Sequence, residues 1–238
     1  APLDSWPVDT RVNYRMVGNY RGEVNGRARV QWQRQQDRYQ VRVDVDVAVL
    51  LSFALVSQGS VTPQGLVPQA FQEERPGGVR AVELGEDSIR LNDGRTVPRP
   101  AGVQDTASQF AELSHRFATG QDALEVGHSV QLWLARPGGV DLWVYDVTEK
   151  VVLQTPELGP VEAYHVAPRP LDKPRGDITA EMWFAPSLQY LPVKVRMRKG
   201  DEAWLELTVR QIEQGGEPTP VPPGVQPEAP GPAPGPKI

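Results

Sequence analysis

From Gln40 to Val47 the chain reads Gln-Val-Arg-Val-Asp-Val-Asp-Val, which places every valine on one side of an extended strand and every polar residue on the other. The same period of two returns with Ala28, Val30 and Trp32 against Arg27, Arg29, Gln31 and Gln33. It recurs with Val193, Val195 and Met197 against Lys194, Arg196 and Arg198, and with Leu205, Leu207 and Val209 against Glu206, Thr208 and Arg210. One wet face and one buried face is the mark of an antiparallel sheet, since parallel strands covered on both sides read as continuous apolar runs. Short turn signals separate the strands: Asn25-Gly26, Asp93-Gly94, Pro63-Gln64-Gly65, Pro137-Gly138-Gly139 and Lys199-Gly200-Asp201. The pattern predicts a mainly β fold of about ten or eleven strands joined as a meander, and a sheet that long must curl, split or close. The expected architecture is therefore a single long curled antiparallel sheet, an open or half barrel.

One segment departs from the alternation. Thr106-Ala107-Ser108-Gln109 has the form of a capping box, and Ala107, Phe110, Ala111, Leu113 and Phe117 follow at helical spacing, with Gly120 placed to end the helix. This predicts one helix packed on the concave face of the sheet. From Gly215 onward proline recurs every second or third position, which removes backbone donors and favours polyproline II. The expected division is a β domain over 1–214 and a disordered Pro-rich tail over 215–238.

Composition narrows the function more by exclusion than by indication. The net charge of −5 gives no basic footprint for nucleic acid, and charges of both signs are interspersed along the strands. The absence of cysteine removes disulfides, thiolate zinc sites and a thiol nucleophile. No stretch reaches the ~18 apolar residues of a transmembrane helix. The opening Ala1-Pro2-Leu3-Asp4 is consistent with a removed export signal or with a chain boundary of another origin.

No constellation of reactive groups stands out. His115, His128 and His165 lack the close spacing of metal ligands on one element. Asp44 and Asp46 share a strand face at ~7 Å, but Arg42 and Gln40 beside them mark an ordinary wet face. No catalytic residue, metal or cofactor is expected. Trp133, Trp143 and Trp183 lie on strands whose opposite-parity neighbours are also apolar, which points to covering by another layer, a partner surface or a sugar platform. The stretch Val47–Val56 is either a strand buried on both faces or an apolar tip carrying Leu50, Leu51 and Phe53.

Asp177-Ile178-Thr179-Ala180-Glu181-Met182-Trp183-Phe184-Ala185-Pro186, followed by Tyr190-Leu191-Pro192-Val193, resembles a hairpin of the bacterial envelope family known as domain of unknown function 3108. The Tyr14-to-Gly26 strand pair, the Thr62–Pro68 turn and the helix start at Gln104–Ser108 fit the same family. The resemblance implies an exported, periplasmic protein. More loosely it implies the half barrel of the periplasmic lipoprotein carriers, whose curved sheet holds acyl chains under several lid helices where this chain shows one. The expectation that follows is a non-enzymatic binding or carrier module for a lipid or other apolar ligand. Its lining would be the inward Tyr14, Met16, Trp32, Val43 and Val45 and the helix residues Phe110 and Phe117. The alternative is a structural or assembly factor that binds another envelope protein through a sheet edge, the aromatic face or the Pro-rich tail.

Overall fold

The computed structural model describes residue 6 and residues 8–48, 51–173, 178–201 and 203–215. The expected tail beyond Gly215 and the tip residue Leu50 lie outside the described residues. Fifteen strands form one sheet: β1 (Thr10–Asn19), β2 (Glu23–Gln35), β3 (Arg38–Val47), β4 (Leu51–Thr62), β5 (Gly65–Arg75), β6 (Gly78–Leu84), β7 (Ser88–Arg90), β8 (Thr96–Pro98), β9 (Gln104–Asp105), β10 (Ser129–Arg136), β11 (Gly139–Thr155), β12 (Gly159–Pro168), β13 (Thr179–Ala185), β14 (Leu191–Lys199) and β15 (Ala203–Gln214). One α-helix among the described residues, α1 (Ser108–Thr119), and a short 3-10 turn at Pro186–Leu188 interrupt them. The spatial order β8-β7-β6-β5-β4-β3-β2-β1-β15-β14-β13-β12-β11-β10-β9 consists of two meanders joined where β1 pairs antiparallel with β15. Every pairing is antiparallel except the short parallel contact of β9 with β10.

The alternation read from the sequence governs the core. Val12, Tyr14 and Met16, then Val41, Val43, Val45 and Val47, then Val193, Val195 and Met197 are all buried, and their polar neighbours face outward. The strand count exceeds the expected ten or eleven partly because β7, β8 and β9 contain three, three and two residues, too short for a period to register.

The sheet curls until its two ends meet. The Asn92 N–H donates to the Pro137 carbonyl at 3.3 Å, the Arg95 guanidinium to the Gly138 carbonyl at 3.3 Å, and the Gln104 amide on β9 to the Leu66 carbonyl on β5 at 2.9 Å. Closure is thus made by isolated bonds at a seam and by the helix, rather than by a continuous ladder. Hairpin turns of β1–β2, β3–β4, β5–β6 and β14–β15 gather at one end, here called the mouth. The helix occupies the other.

Candidate functional site

The helix end is held by buried polar groups, most of them with a named partner; the Gln104 Oε1 on β9 is buried without one. Asp105 is fully buried, and its Oδ1 accepts from the Ala107 and Ser108 N–H groups at 2.9 and 2.7 Å. The Ser108 hydroxyl in turn accepts the Asp105 N–H at 2.9 Å, completing a reciprocal capping box. The cap is therefore Asp105 with Ser108, not Thr106 with Gln109. The Gln109 amide does reach back, but as a donor to the Thr106 carbonyl at 3.0 Å, and its oxygen accepts the Tyr145 hydroxyl at 2.6 Å. The Ser57 hydroxyl donates to Asp105 Oδ2 at 2.5 Å, and Tyr39 joins Ser57 at 2.9 Å. Burial outweighs these donors and pushes the Asp105 carboxyl up to about 6.

One turn along the helix, Glu112 accepts the Leu66 N–H at 2.9 Å and the Arg116 guanidinium at 3.1 Å. Burial raises its pKa as well. Gly65 makes this approach feasible: its φ is +136°, and a Cβ there would overlap the Glu112 carboxylate. The Ser114 hydroxyl fastens the helix to the β13–β14 turn by donating to the Tyr190 carbonyl at 2.7 Å. Burial, then the neighbouring Arg116, lowers the His115 imidazole.

Between this helix and the sheet lies a cavity of about 300 Å³, bordered by Val12, Trp32, Val41, Phe110, His115 and Leu191 among others. Trp6 is buried beside it, stacked on His115 with ring centroids 3.8 Å apart and on Trp32 at 5.5 Å, and Trp32 continues the stack to Tyr39 at 5.7 Å. The chain thus sets an aromatic residue of its own against Trp32 and His115 beside this cavity.

The mouth is built differently. A recess of about 200 Å³ opens there between Val47, Leu51, Phe53, Leu55, Met197 and Leu205, with Tyr20 and Trp204 also in its wall. Its rim carries Arg75, Arg198 and Lys199, and the buried Glu73 stands in its wall opposite Leu55. Glu73 is bound by Arg75 at 2.5 Å and Arg80 at 3.8 Å, and Arg198 lies 3.6 Å from Glu181. The walls are mainly apolar, with the one buried carboxylate of Glu73 tied to Arg75 and Arg80.

The expected lining residues divide between these environments. Trp32 and Phe110 border the helix-side cavity. Tyr14, Met16, Val43, Val45 and Phe117 are packed into the core: the Tyr14 hydroxyl donates to the Pro192 carbonyl at 2.6 Å, and Phe117 meets Phe184 edge-on at 5.0 Å. Burial raises the Tyr14 pKa. Leu51 and Phe53, read as tip residues, line the mouth. The two readings of this stretch both find a place, because Ala54, Leu55, Val56 and Ser57 are buried consecutively. On the outer face the Arg42 guanidinium of β3 reaches Glu74 of β5 at 3.2 Å, and this ion pair crosses over β4 at Ala54 and Val56.

The three tryptophans on doubly apolar strands also separate. Trp143 points inward with the Arg136 guanidinium 4.8 Å from its ring centroid. Trp183 faces outward yet is only 6 % exposed, because His165 stacks on it at 4.3 Å and Lys194 lies 4.6 Å from its centroid. His165 is itself fixed between the Thr148 hydroxyl at 2.7 Å and Glu181 at 2.8 Å. That hydrogen bond from His165 holds Glu181 below the ordinary carboxylate range. Trp133 and Leu142, paired across β10 and β11, remain 37 % and 38 % exposed. The buried Asp105, Glu112, Ser57 and Tyr39 were not singled out from sequence; the Asp-x-x-Ser spacing before the helix was the available signal for the first.

No helix among the described residues is long and apolar enough to cross a membrane. No curated protein matches the chain. A solved structure, described as a beta-barrel-like protein of domain of unknown function DUF1849 from Brucella abortus, superimposes with a TM-score of 0.52 at 11% identity. The match covers 89% of this chain and 99% of that one, so the likeness is one of fold. The sequence also matches, over residues 11–203, the family model described as Protein of unknown function (DUF3108), and the chain belongs to that family.

Proposed function

We propose that this protein is a non-enzymatic binding module of the bacterial periplasm that holds an apolar group, such as part of a lipid chain, in the mouth of the curled sheet. The observation that carries the reading is the recess of about 200 Å³ walled by Leu51, Phe53, Leu55 and Met197. An apolar cavity of about 150 Å³ stays dry and takes up benzene, so this one has room for a ring or a short run of methylenes. It falls below the ~300 Å³ at which pockets enclose a whole drug-sized ligand, which favours a group inserted from a larger molecule. Native mass spectrometry of protein purified without detergent, together with displacement of a fluorescent fatty acid, tests the reading. Retained apolar mass or saturable displacement supports it; protein that is ligand-free and inert to the probe would overturn it. Fractionation of the native host tests the location, which a purely cytoplasmic signal would refute.

A second reading, an assembly factor, is favoured by a different observation. The exposed Trp133–Leu142 pair stands beside a stretch of β10 edge, because β9 pairs with β10 only at Leu134 and Ala135. A partner strand could add to that edge and cover the tryptophan. Capture of an envelope protein by the wild type but not by Trp133→Arg supports this reading, and equal capture by both excludes it.

A further inference from the structure

The outer face of β1 and β2 carries a feature unrelated to the apolar mouth. Arg15 and Arg27 stand directly opposite each other across the two strands, and Arg29 follows on the same face of β2. All three are exposed, and among the described residues none of them has an ion-pair partner. Like charges directly opposed in a sheet are destabilising, and a guanidinium cannot escape by losing its proton. Of the carboxylates opposite them on β3, Asp44 is paired with Arg42 at 3.0 Å, whereas Asp46 accepts the neutral Ser52 hydroxyl at 2.6 Å and keeps its charge opposite Arg27, one carboxylate against three guanidinium groups.

The neighbouring charges cancel pairwise. Arg11 meets Glu213 at 3.2 Å, and Arg210 meets Glu157 at 2.8 Å. The second pair has an architectural effect. Glu157 lies in the turn between β11 and β12, so its bond to β15 draws that hairpin over the outer face. Beneath it runs a groove of about 470 Å³ in which the charges balance, Arg11, Arg27, Arg29 and Arg210 against Asp44, Asp46, Glu157 and Glu213. A wider recess of about 1080 Å³ extends past Arg15, bordered by Arg15, Arg27, Arg29 and Arg210 with Asp46 as the one carboxylate among the described residues. Surplus positive charge is thus concentrated in this wider recess, on a chain whose net charge is −5.

We infer that this wider recess is an anion site for a phosphate-bearing ligand, whose tetrahedral oxygens can meet guanidinium forks arriving from two adjacent strands. Neighbouring strands lie ~4.8 Å apart and same-face residues along one strand ~7 Å apart, so Arg15, Arg27 and Arg29 frame a space that one or two phosphoryl groups span. Arginine forks match phosphate with paired, directional bonds, which a scatter of lysines would not provide. The ligand phosphate supplies counter-charge beyond the single carboxylate of Asp46.

The site stands or falls independently of the mouth. The test measures binding of inorganic pyrophosphate by calorimetry at constant ionic strength, and co-flotation with phosphatidylglycerol and with phosphatidylcholine vesicles. Each is done with the wild type, with R15Q/R27Q and with R29Q. Saturable pyrophosphate binding that is roughly tenfold weaker in R15Q/R27Q identifies a soluble phosphate ligand. Flotation with phosphatidylglycerol alone, lost in the same variant, identifies a headgroup. In either case the melting temperature of R15Q/R27Q without ligand should lie close to that of the wild type, since the Arg15–Arg27 repulsion and the attraction of Arg27 to the facing Asp46 are lost together. The inference is overturned if neither probe binds, or if R15Q/R27Q binds as the wild type does.

Discussion

The two ends of the curled sheet solve the same problem in opposite ways. At the helix end the interior is closed by directional bonds: Asp105, Ser57, Tyr39, Glu112 and the Leu66 N–H each have a set partner. At the mouth, Leu51, Phe53 and Met197 border open space, and apart from the buried Glu73 the charged groups stand on the rim. A buried hydrogen-bonded network specifies one arrangement and is costly to disturb, whereas an apolar wall accepts whatever shape fills it. The contrast places the directional bonds at one end and, under the proposed function, ligand uptake at the other.

The comparison can be broken most forcefully at Gly65. Gly65→Ala forces a Cβ against the Glu112 carboxylate at φ +136°, and is expected to cost about 3 kcal/mol in urea unfolding. Probe binding at the mouth should be unchanged in the folded fraction. A loss of binding without a loss of stability would show that the two ends are not separate.

The pH dependence of stability sharpens the contrast. The Asp105 carboxyl stands at about 6 in the folded chain. Its ordinary value is ~3.9, so the folded state holds this proton more tightly than the unfolded one. Stability from this group is therefore full below about pH 4 and declines as pH rises through 6, by about 2–3 kcal/mol. Burial of Glu112 acts in the same direction. Asp105→Asn should flatten that window in unfolding curves taken between pH 4 and 7, and an unaltered slope would assign it elsewhere. Asp146 has the opposite sign. Hydrogen bonds from Arg169 and Ser129 hold it at about 2, so its contribution is present above the ordinary carboxylate range and is lost as pH falls through 2.

At the mouth, Phe53→Asp should change stability by about 1 kcal/mol or less, because the ring is only half-buried. Fatty-acid probe affinity should fall roughly tenfold, read by fluorescence displacement. The smallest expected effect is that of Trp133→Arg, within about 0.5 kcal/mol of the wild type in unfolding, since the ring already stands in solvent.

Much of the fold was legible because the strands that build it are long enough for a period of two to register. The inward sets of β1, β3 and β14 follow directly from Tyr14-x-Met16, Val41-x-Val43-x-Val45 and Val193-x-Val195-x-Met197. Three features escaped that logic for physical reasons. Asp105 and Thr106 are adjacent cap candidates, and the choice between them depends on Ser57, which is 48 positions away. The consecutive burial of Ala54–Ser57 includes an outer side covered by an ion pair between two other strands, which no local pattern encodes. The burial of Trp183 depends on His165 and Lys194 from its two neighbouring strands. The mouth was half legible: Leu51 and Phe53 stood out as apolar residues at a turn, but Met197 and Trp204 join them only through the curl of the sheet.

The seam where the sheet ends meet has a consequence for how the molecule breathes. Along β1, β2, β3 and β15 each amide is locked into a long ladder, and its exchange with solvent deuterium requires that several neighbours open together. Across the seam, by contrast, Asn92, Arg95 and Gln104 each hold a single carbonyl, so one bond can release without the next. Deuterium should therefore enter first at β7, β8 and β9, and last at β1 and β15, giving a gradient around the circumference rather than along the axis. The curl then behaves as a split ring, able to widen at one line while the opposite wall keeps its register.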